Sequence, residues 1–178
     1  MSAYARGDRR SFALLFRRWA PRLHGFFLKS VRERSIADDL LQLTFLKVHR
    51  ARASFQPVLR LRAWLYTIAV RELREEMRRR RRAPLAGDEQ DRDVQSGPDD
   101  PQRSMELQQR TNAVRAAIAR LPEAQREILY LHRYEEMTFG EIAAALGATE
   151  GAVRIRAFRA YERLREELAG LLDEERAA

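Results

Sequence analysis

Arginine carries most of the chemistry this sequence could perform. Residues 78–82 are five consecutive arginines, and Arg60, Arg62, Arg71 and Arg74 lie just before them. A second group, Arg154, Arg156 and Arg159, recurs within a single stretch near the C-terminal end. The only lysines are Lys29 and Lys47. A guanidinium offers a planar fork of donors that matches phosphate oxygens and the O6/N7 edge of guanine. Three aromatic residues, Phe55, Trp64 and Tyr66, stand close to the first group. Their rings could stack on unpaired bases. Trp64 falls on an apolar helical stripe and reads first as core, whereas Phe55 sits in a polar loop and is the better stacking candidate.

The residues for bond-breaking chemistry are missing. There is no cysteine, which removes thiolate nucleophiles, thiolate metal sites and disulfides. His24, His49 and His132 are scattered without ligand spacing. No glycine-rich phosphate loop, HExxH pair or nucleophile elbow occurs. The expectation is a protein that binds and does not catalyse, with no cofactor and no metal.

Helices must position these side chains. The spacing of Phe12, Leu15, Phe16, Trp19, Leu23, Phe26 and Phe27 by three and four predicts a helix over 11–29, with Pro21 kinking it or starting a new turn. Ser35 to Asp38 has the form of a capping box for a helix striped by Leu40, Leu41, Leu43, Phe45, Leu46 and Val48. Asp38 and Asp39 would favour the positive end of that helix. A loop over 51–60 leads into a helix over 61–80, with Trp64, Leu65, Ile68, Ala69, Leu73 and Met77 inward. In the C-terminal part, helices are expected over 106–119 and after Pro122. A short one follows, capped by Thr138 and Glu141 and ended by Gly147, and then a long one opened by Thr149. A short capped helix, a glycine turn and a long arginine-rich helix form helix-turn-helix grammar. Val153, Ala157, Ala160 and Leu164 turn inward. Arg154, Ile155, Arg156, Phe158 and Arg159 are left for a major groove, where arginines read guanine and apolar groups touch thymine methyls.

Charge divides the chain. Residues 1–82 hold 21 basic and 7 acidic groups, residues 83–104 hold 2 and 6, and residues 105–178 hold 11 and 13. The formal net charge of +8 suits a polyanionic partner. The middle stretch, rich in Pro, Gly and Asp, reads as a flexible acidic linker. Apolar residues make up 45% of the chain, enough for packed cores. No run approaches the length needed to cross a bilayer, and Met1 to Arg10 lacks the apolar segment of a secretory leader, so a cytoplasmic location without membrane insertion is expected. The expected fold is all-α: two small helical domains, 1–82 and 105–178, joined by the linker 83–104.

Four stretches resemble the extracytoplasmic-function (ECF) sigma factors of the sigma-70 family. FALLFRRWAPRLHGFF (12–27) and ADDLLQLTFLKVHR (37–50) are similar to that family's first helices and region 2.2. RAWLYTIAVRELREEMRRRRR (62–82) is similar to regions 2.3 and 2.4, and residues 121–168 to the helix-turn-helix of region 4. The resemblance implies promoter recognition, DNA opening and transcription initiation in company with core RNA polymerase, through its β′ clamp helices and β flap. It implies that Asp38, Asp39, Gln42 and Phe45 face the clamp. It implies that Phe55, Trp64, Tyr66, Arg71, Arg74 and Arg78 open and read the −10 element, with one base flipped into a protein pocket. Arg154, Ile155, Arg156, Phe158 and Arg159 would read the −35 element. An anti-sigma factor is a further partner that the family admits.

The sequence departs from the family at several of these positions. Arg71 stands where Asn is common and Glu75 where Asp is common, which bears on −10 specificity. Ala152 stands for Thr, Ile155 for Ser, Ala157 for Leu and Phe158 for a polar residue. Two other readings remain open from the residues: a stand-alone helix-turn-helix regulator, which would footprint DNA without polymerase, and a sigma-like interaction protein without promoter activity.

Overall fold

The computed structural model describes residues 1–5, 8–56, 60–82 and 101–169. Among them the chain is all-α. A short helix α1 (Ser2–Ala5) precedes α2 (Arg9–Val31), α3 (Arg34–Ala51), a 3-10 turn (Arg52–Ser54) and α4 (Leu61–Arg82). Then come α5 (Pro101–Arg120), α6 (Glu123–Arg133), α7 (Phe139–Leu146) and α8 (Glu150–Glu167).

Helix α2 begins where the Asp8 carboxylate accepts from the Arg10 backbone N–H at 2.9 Å, satisfying one of the donors a helix start leaves open. It runs unbroken through the exposed Pro21, so of the two outcomes expected there, a kink or a new turn, the new turn does not occur. It stops at Arg32, whose φ of 57° is left-handed and whose N–H returns to the Leu28 carbonyl. The capping box expected at Ser35 does not form either. Helix α3 starts two residues earlier, after Glu33, with no side-chain cap, and the Ser35 hydroxyl donates to the Glu33 carboxylate instead. Helix α5 starts at Pro101, inside the stretch read as linker. The rest of that stretch, 83–100, lies outside the described residues.

The α2 stripe of Leu15, Trp19, Leu23, Phe26 and Phe27 packs on Ala37, Leu40, Phe45 and Val48 of α3 and on Leu65, Tyr66, Ala69, Val70 and Leu73 of α4. Fully burying one such large side chain contributes about 1.5–3 kcal/mol. The same buried cluster continues without a break into Ile128, Leu131, Met137, Ile142, Leu146 and Val153 of the C-terminal helices. Helix α4 is the shared wall: α2 and α3 pack on one side of it and α7 on another. The sequence left the placement of the two halves open, and in the structure they close on each other.

Candidate nucleic-acid interface

The helix-turn-helix is built by three local devices. The Thr138 hydroxyl accepts from the Glu141 N–H at 3.2 Å, and the Glu141 carboxylate accepts from the Thr138 N–H at 2.9 Å, a reciprocal cap that starts α7. Gly147 ends α7 at φ 64°, where a side chain would strain the backbone, and the Ala148 N–H returns to the Ala143 carbonyl at 2.9 Å. Thr149 accepts from the Ala152 N–H at 3.3 Å and opens α8. Val153, Ala157 and Ala160 are buried against α6 and α7, which fixes the rotation of α8. Its outer face therefore presents Arg154, Ile155, Arg156, Phe158 and Arg159, all exposed. Ile155 is 55% and Phe158 66% exposed, large apolar surfaces left to solvent among arginines. Arg154 also donates to Glu150 at 2.5 Å and lies 5.4 Å from the Phe139 ring centre. The Arg154–Glu150 pair is solvent-exposed, and such pairs contribute only about 0–1 kcal/mol, so a phosphate or base edge can displace it.

The arginines of α4 are placed differently. The Arg62 Nη2 donates to the Glu141 Oε2 at 2.7 Å, and its Nη1 reaches the Glu135 carbonyl at 3.2 Å. The Arg74 Nη2 donates to the Glu127 Oε2 at 2.7 Å, and its Nη1 reaches the Leu146 carbonyl at 3.4 Å. Arg81 pairs with Glu123. Burial pushes the Glu127 carboxyl up, with Arg74 pulling against it. Burial also works against ionised Glu141, but the Thr138 N–H and the Arg62 guanidinium outweigh it and hold that carboxyl below its usual value.

Comparison with known proteins gives this geometry a family. The family model for sigma-70 region 2 matches residues 15–83, and that for sigma-70 region 4 matches residues 111–164. The chain is 36% identical to the RNA polymerase sigma factor CarQ of Myxococcus xanthus, over 96% of this chain and 97% of that protein. It belongs to the sigma-70 family, among the ECF RNA polymerase sigma factors. It is also 33% identical to the ECF RNA polymerase sigma factor RpoE of Cereibacter sphaeroides, covering 91% and 88% of the two chains. Among solved structures, it resembles the sigma factor RpoE in complex with the anti-sigma factor NepR from Bartonella quintana. That match has a TM-score of 0.72 and 26% identity, over 90% of this chain and 98% of that one. It also resembles CnrH in complex with the cytosolic domain of CnrY, with TM-score 0.68 and 25% identity, over 97% and 94%. As an ECF sigma factor, the chain acts in transcription initiation.

The positions that the sequence singled out fall into three environments in this sigma factor. Asp38, Asp39 and Gln42 are exposed on α3, with Asp38 3.1 Å from the His24 Nε2. Phe45, expected beside them, is only 4% exposed, because its turn of α3 points inward onto Phe16 and Phe12 at ring distances of 4.7 and 6.1 Å. Phe55 and Trp64 form an edge-to-face pair at 5.2 Å, both half-buried, so the loop ring and the helix ring are one unit. Arg71 and Arg78 are exposed, and Arg78 pairs with Glu75. Tyr66 is fully buried, its ring edge-on to Phe26 at 5.5 Å, and burial and the nearby Glu135 carboxylate push its phenol up.

One surface escaped the sequence reading. Leu43 and Leu46, assigned to the core stripe of α3, are nearly half exposed. With Ile36, Leu40, Asp39 and Gln42 they line a groove of about 420 Å³ that Glu76 and Arg79 of α4 close on the other side. The signal was present in the stripe itself: Leu40, Leu41, Leu43 and Leu46 cover more of the helix circumference than one core contact can bury.

Proposed function

We propose that this sigma factor binds the β′ clamp helices of core RNA polymerase through the exposed side of α3 and the groove beside it, meets the polymerase β flap as well, and directs the polymerase to promoters with two separate DNA-reading faces. Helix α8 enters the major groove of the −35 element with Arg154, Arg156 and Arg159 toward guanine edges and phosphates, and Ile155 and Phe158 toward thymine methyls. One well-placed bidentate arginine discriminates between bases by about 1–3 kcal/mol. Helix α4, with Trp64, Arg71, Arg74 and Arg78, and Phe55 of the preceding loop engage the −10 element and its unpaired strand, where rings and guanidinium groups suit stacking and phosphate contact; Tyr66, fully buried against Phe26, supports that face from inside the core and does not touch a base. The protein works in the cytoplasm, performs no catalysis, and is held in check by an anti-sigma factor. No helix among the described residues is long and apolar enough to cross a membrane.

The observation that carries this reading is the exposed face of α8, arginine-lined and rotated outward by buried Val153, Ala157 and Ala160. Its test is transcription in vitro with core polymerase and the paired substitution Arg154→Ala/Arg159→Ala. Promoter-directed transcripts should fall at least tenfold while core-polymerase binding is retained. Undiminished transcription would remove α8 from promoter recognition.

A further inference from the structure

Arg62, Arg74, Arg78 and Arg81 of α4 each meet a carboxylate of the chain. The arginines of α2 do not. Arg10, Arg17, Arg18 and Arg22 are all exposed, and among the described residues none of their guanidinium groups has an ion pair or a hydrogen bond. Arg22 lies 5.8 Å from the Trp19 ring centre. No Asp or Glu occurs from Arg9 to Arg32. Asp8, just before that stretch, is engaged at the helix start, where it accepts from the Arg10 N–H and the Ser11 hydroxyl.

These cations share one side of the helix. At 3.6 residues per turn, Arg10, Leu14, Arg17, Arg18, Pro21 and Arg22 fall within roughly 140° of its circumference. Buried Leu15, Trp19, Leu23, Phe26 and Phe27 hold the opposite side against the core. Small or flat residues stand between the cations: Pro21 is exposed, and a Cβ added at Gly25 would meet nothing within 4 Å. The result is an open, shallow strip, about 18 Å long from Arg10 to Arg22 at 1.5 Å per residue. It ends at Lys29, whose ammonium lies 3.7 Å from the Tyr134 ring centre.

A row of guanidinium groups without counter-charge suits an extended polyanion. Duplex DNA carries one phosphate charge per about 1.7 Å of axis, so about ten lie along a strip of this length. The strip has no exposed ring on which an unpaired base would stack, since Phe16 lies on the other side against Phe45. A helix lying on a lipid surface needs a broad apolar face. That face of α2 is buried in the core, and Leu14, 65% exposed, is the one large aliphatic side chain on the strip. Phosphate binding here breaks no contact, whereas Arg62 and Arg74 would first leave Glu141 and Glu127, each 7% exposed.

We propose that the outer face of α2 is a third DNA contact of this sigma factor. It grips duplex phosphates without regard to sequence, while α8 and α4 read bases. Its place in the initiation complex rests on the promoter-binding reading, but the face itself is tested on duplex of any sequence.

The test titrates the full chain onto a fluorescent duplex of about 30 base pairs without a promoter, between about 0.05 and 0.3 M salt. Each arginine on a phosphate contributes about 0.9 to the slope of log affinity against log salt. Arg10→Gln/Arg17→Gln/Arg18→Gln should flatten that slope by about 2–3 and weaken binding about tenfold or more at about 0.1 M salt. Arg115→Gln/Arg120→Gln/Arg165→Gln removes as much charge from exposed positions of α5 and α8, and should change the slope by less than about 1. Gly25→Glu sets a carboxylate on the strip without deleting a side chain. It should weaken duplex binding about threefold or more, and it carries the test if the triple variant fails to fold by circular dichroism. In holoenzyme the triple variant should lose affinity for all promoters alike, with base preferences unchanged. A slope that the triple variant leaves unchanged, or a fall matched by the charge control, overturns the proposal. So does unaltered duplex binding accompanied by lost capture of core polymerase or of phosphatidylserine vesicles, which would make the strip a protein or a lipid contact. A failure of the promoter reading would appear separately, as absent transcription with the salt slopes as expected.

Discussion

The Arg62 guanidinium donates to the Glu141 carboxylate at 2.7 Å across 79 residues of sequence, and the same carboxylate caps α7 through Thr138. One side chain thus starts the first helix of the helix-turn-helix and ties it to α4. Glu141 is held below the usual 4.5, since the Thr138 N–H and Arg62 outweigh the cost of its burial. A carboxylate with a depressed folded value contributes stability above its unfolded value and loses it as pH falls through the folded one. Thermal melts of wild type and Glu141→Gln should therefore differ most near neutral pH, with wild type the more stable. The gap should narrow as pH drops below about 4.5. A gap that is constant over that range would mean that the charge of Glu141 contributes nothing.

The turn between α7 and α8 depends on Gly147 at φ 64°. An L-residue in that conformation costs about 1–2 kcal/mol, so Gly147→Ala should lower the melting temperature by a few degrees. Thr138→Ala should cost about 1 kcal/mol through the lost cap. Both effects are read by calorimetry or chemical denaturation. A neutral Gly147→Ala would show that the turn relaxes to another geometry.

Phe45 and its neighbours on α3 separate packing from partner binding. Phe45 is buried, and Phe45→Ala should cost about 3–5 kcal/mol of stability. Leu46→Lys, on the exposed lip of the groove, should leave the melt within about 0.5 kcal/mol of wild type while weakening capture of core polymerase in a pull-down. Equal capture by Leu46→Lys and wild type would move the polymerase contact elsewhere.

Ile155 and Phe158 give α8 an apolar component that can be read base by base. Replacing single thymines by uracil in the −35 duplex removes only the methyl group. Holoenzyme should lose about threefold or more in promoter affinity at the contacted thymines, and Ile155→Ala/Phe158→Ala should be insensitive to the same change. Identical uracil effects in both proteins would mean that these side chains do not touch thymine methyls.

Much of this was legible before the structure. The C-terminal devices were spelled out locally: Thr138 with Glu141, Gly147 and Thr149 each act within four residues, and the Val153, Ala157, Ala160 stripe set the outward face of α8. What failed was also local in appearance but decided at a distance. The Ser35 cap lost to a helix that begins after Glu33, where the side chain of Arg80 anchors the Glu33 carboxylate at 2.6 Å from far along the chain. Phe45 and Leu46 are adjacent in one apolar run, yet Phe45 is buried beside the rings of Phe12 and Phe16 and Leu46 is left nearly half exposed. Tyr66 and Arg74 read as surface residues of a basic helix because the partner that covers them, α6 and α7, lies beyond the acidic stretch. No periodicity within α4 encodes that contact.

Transcription in vitro from a randomised promoter library, with core polymerase and the purified chain, tests the central reading most directly. The expected result is enrichment of templates sharing two conserved blocks upstream of the start, with Arg154→Ala/Arg159→Ala erasing the upstream block alone. Transcripts no more frequent or selective than those of core polymerase by itself would contradict it.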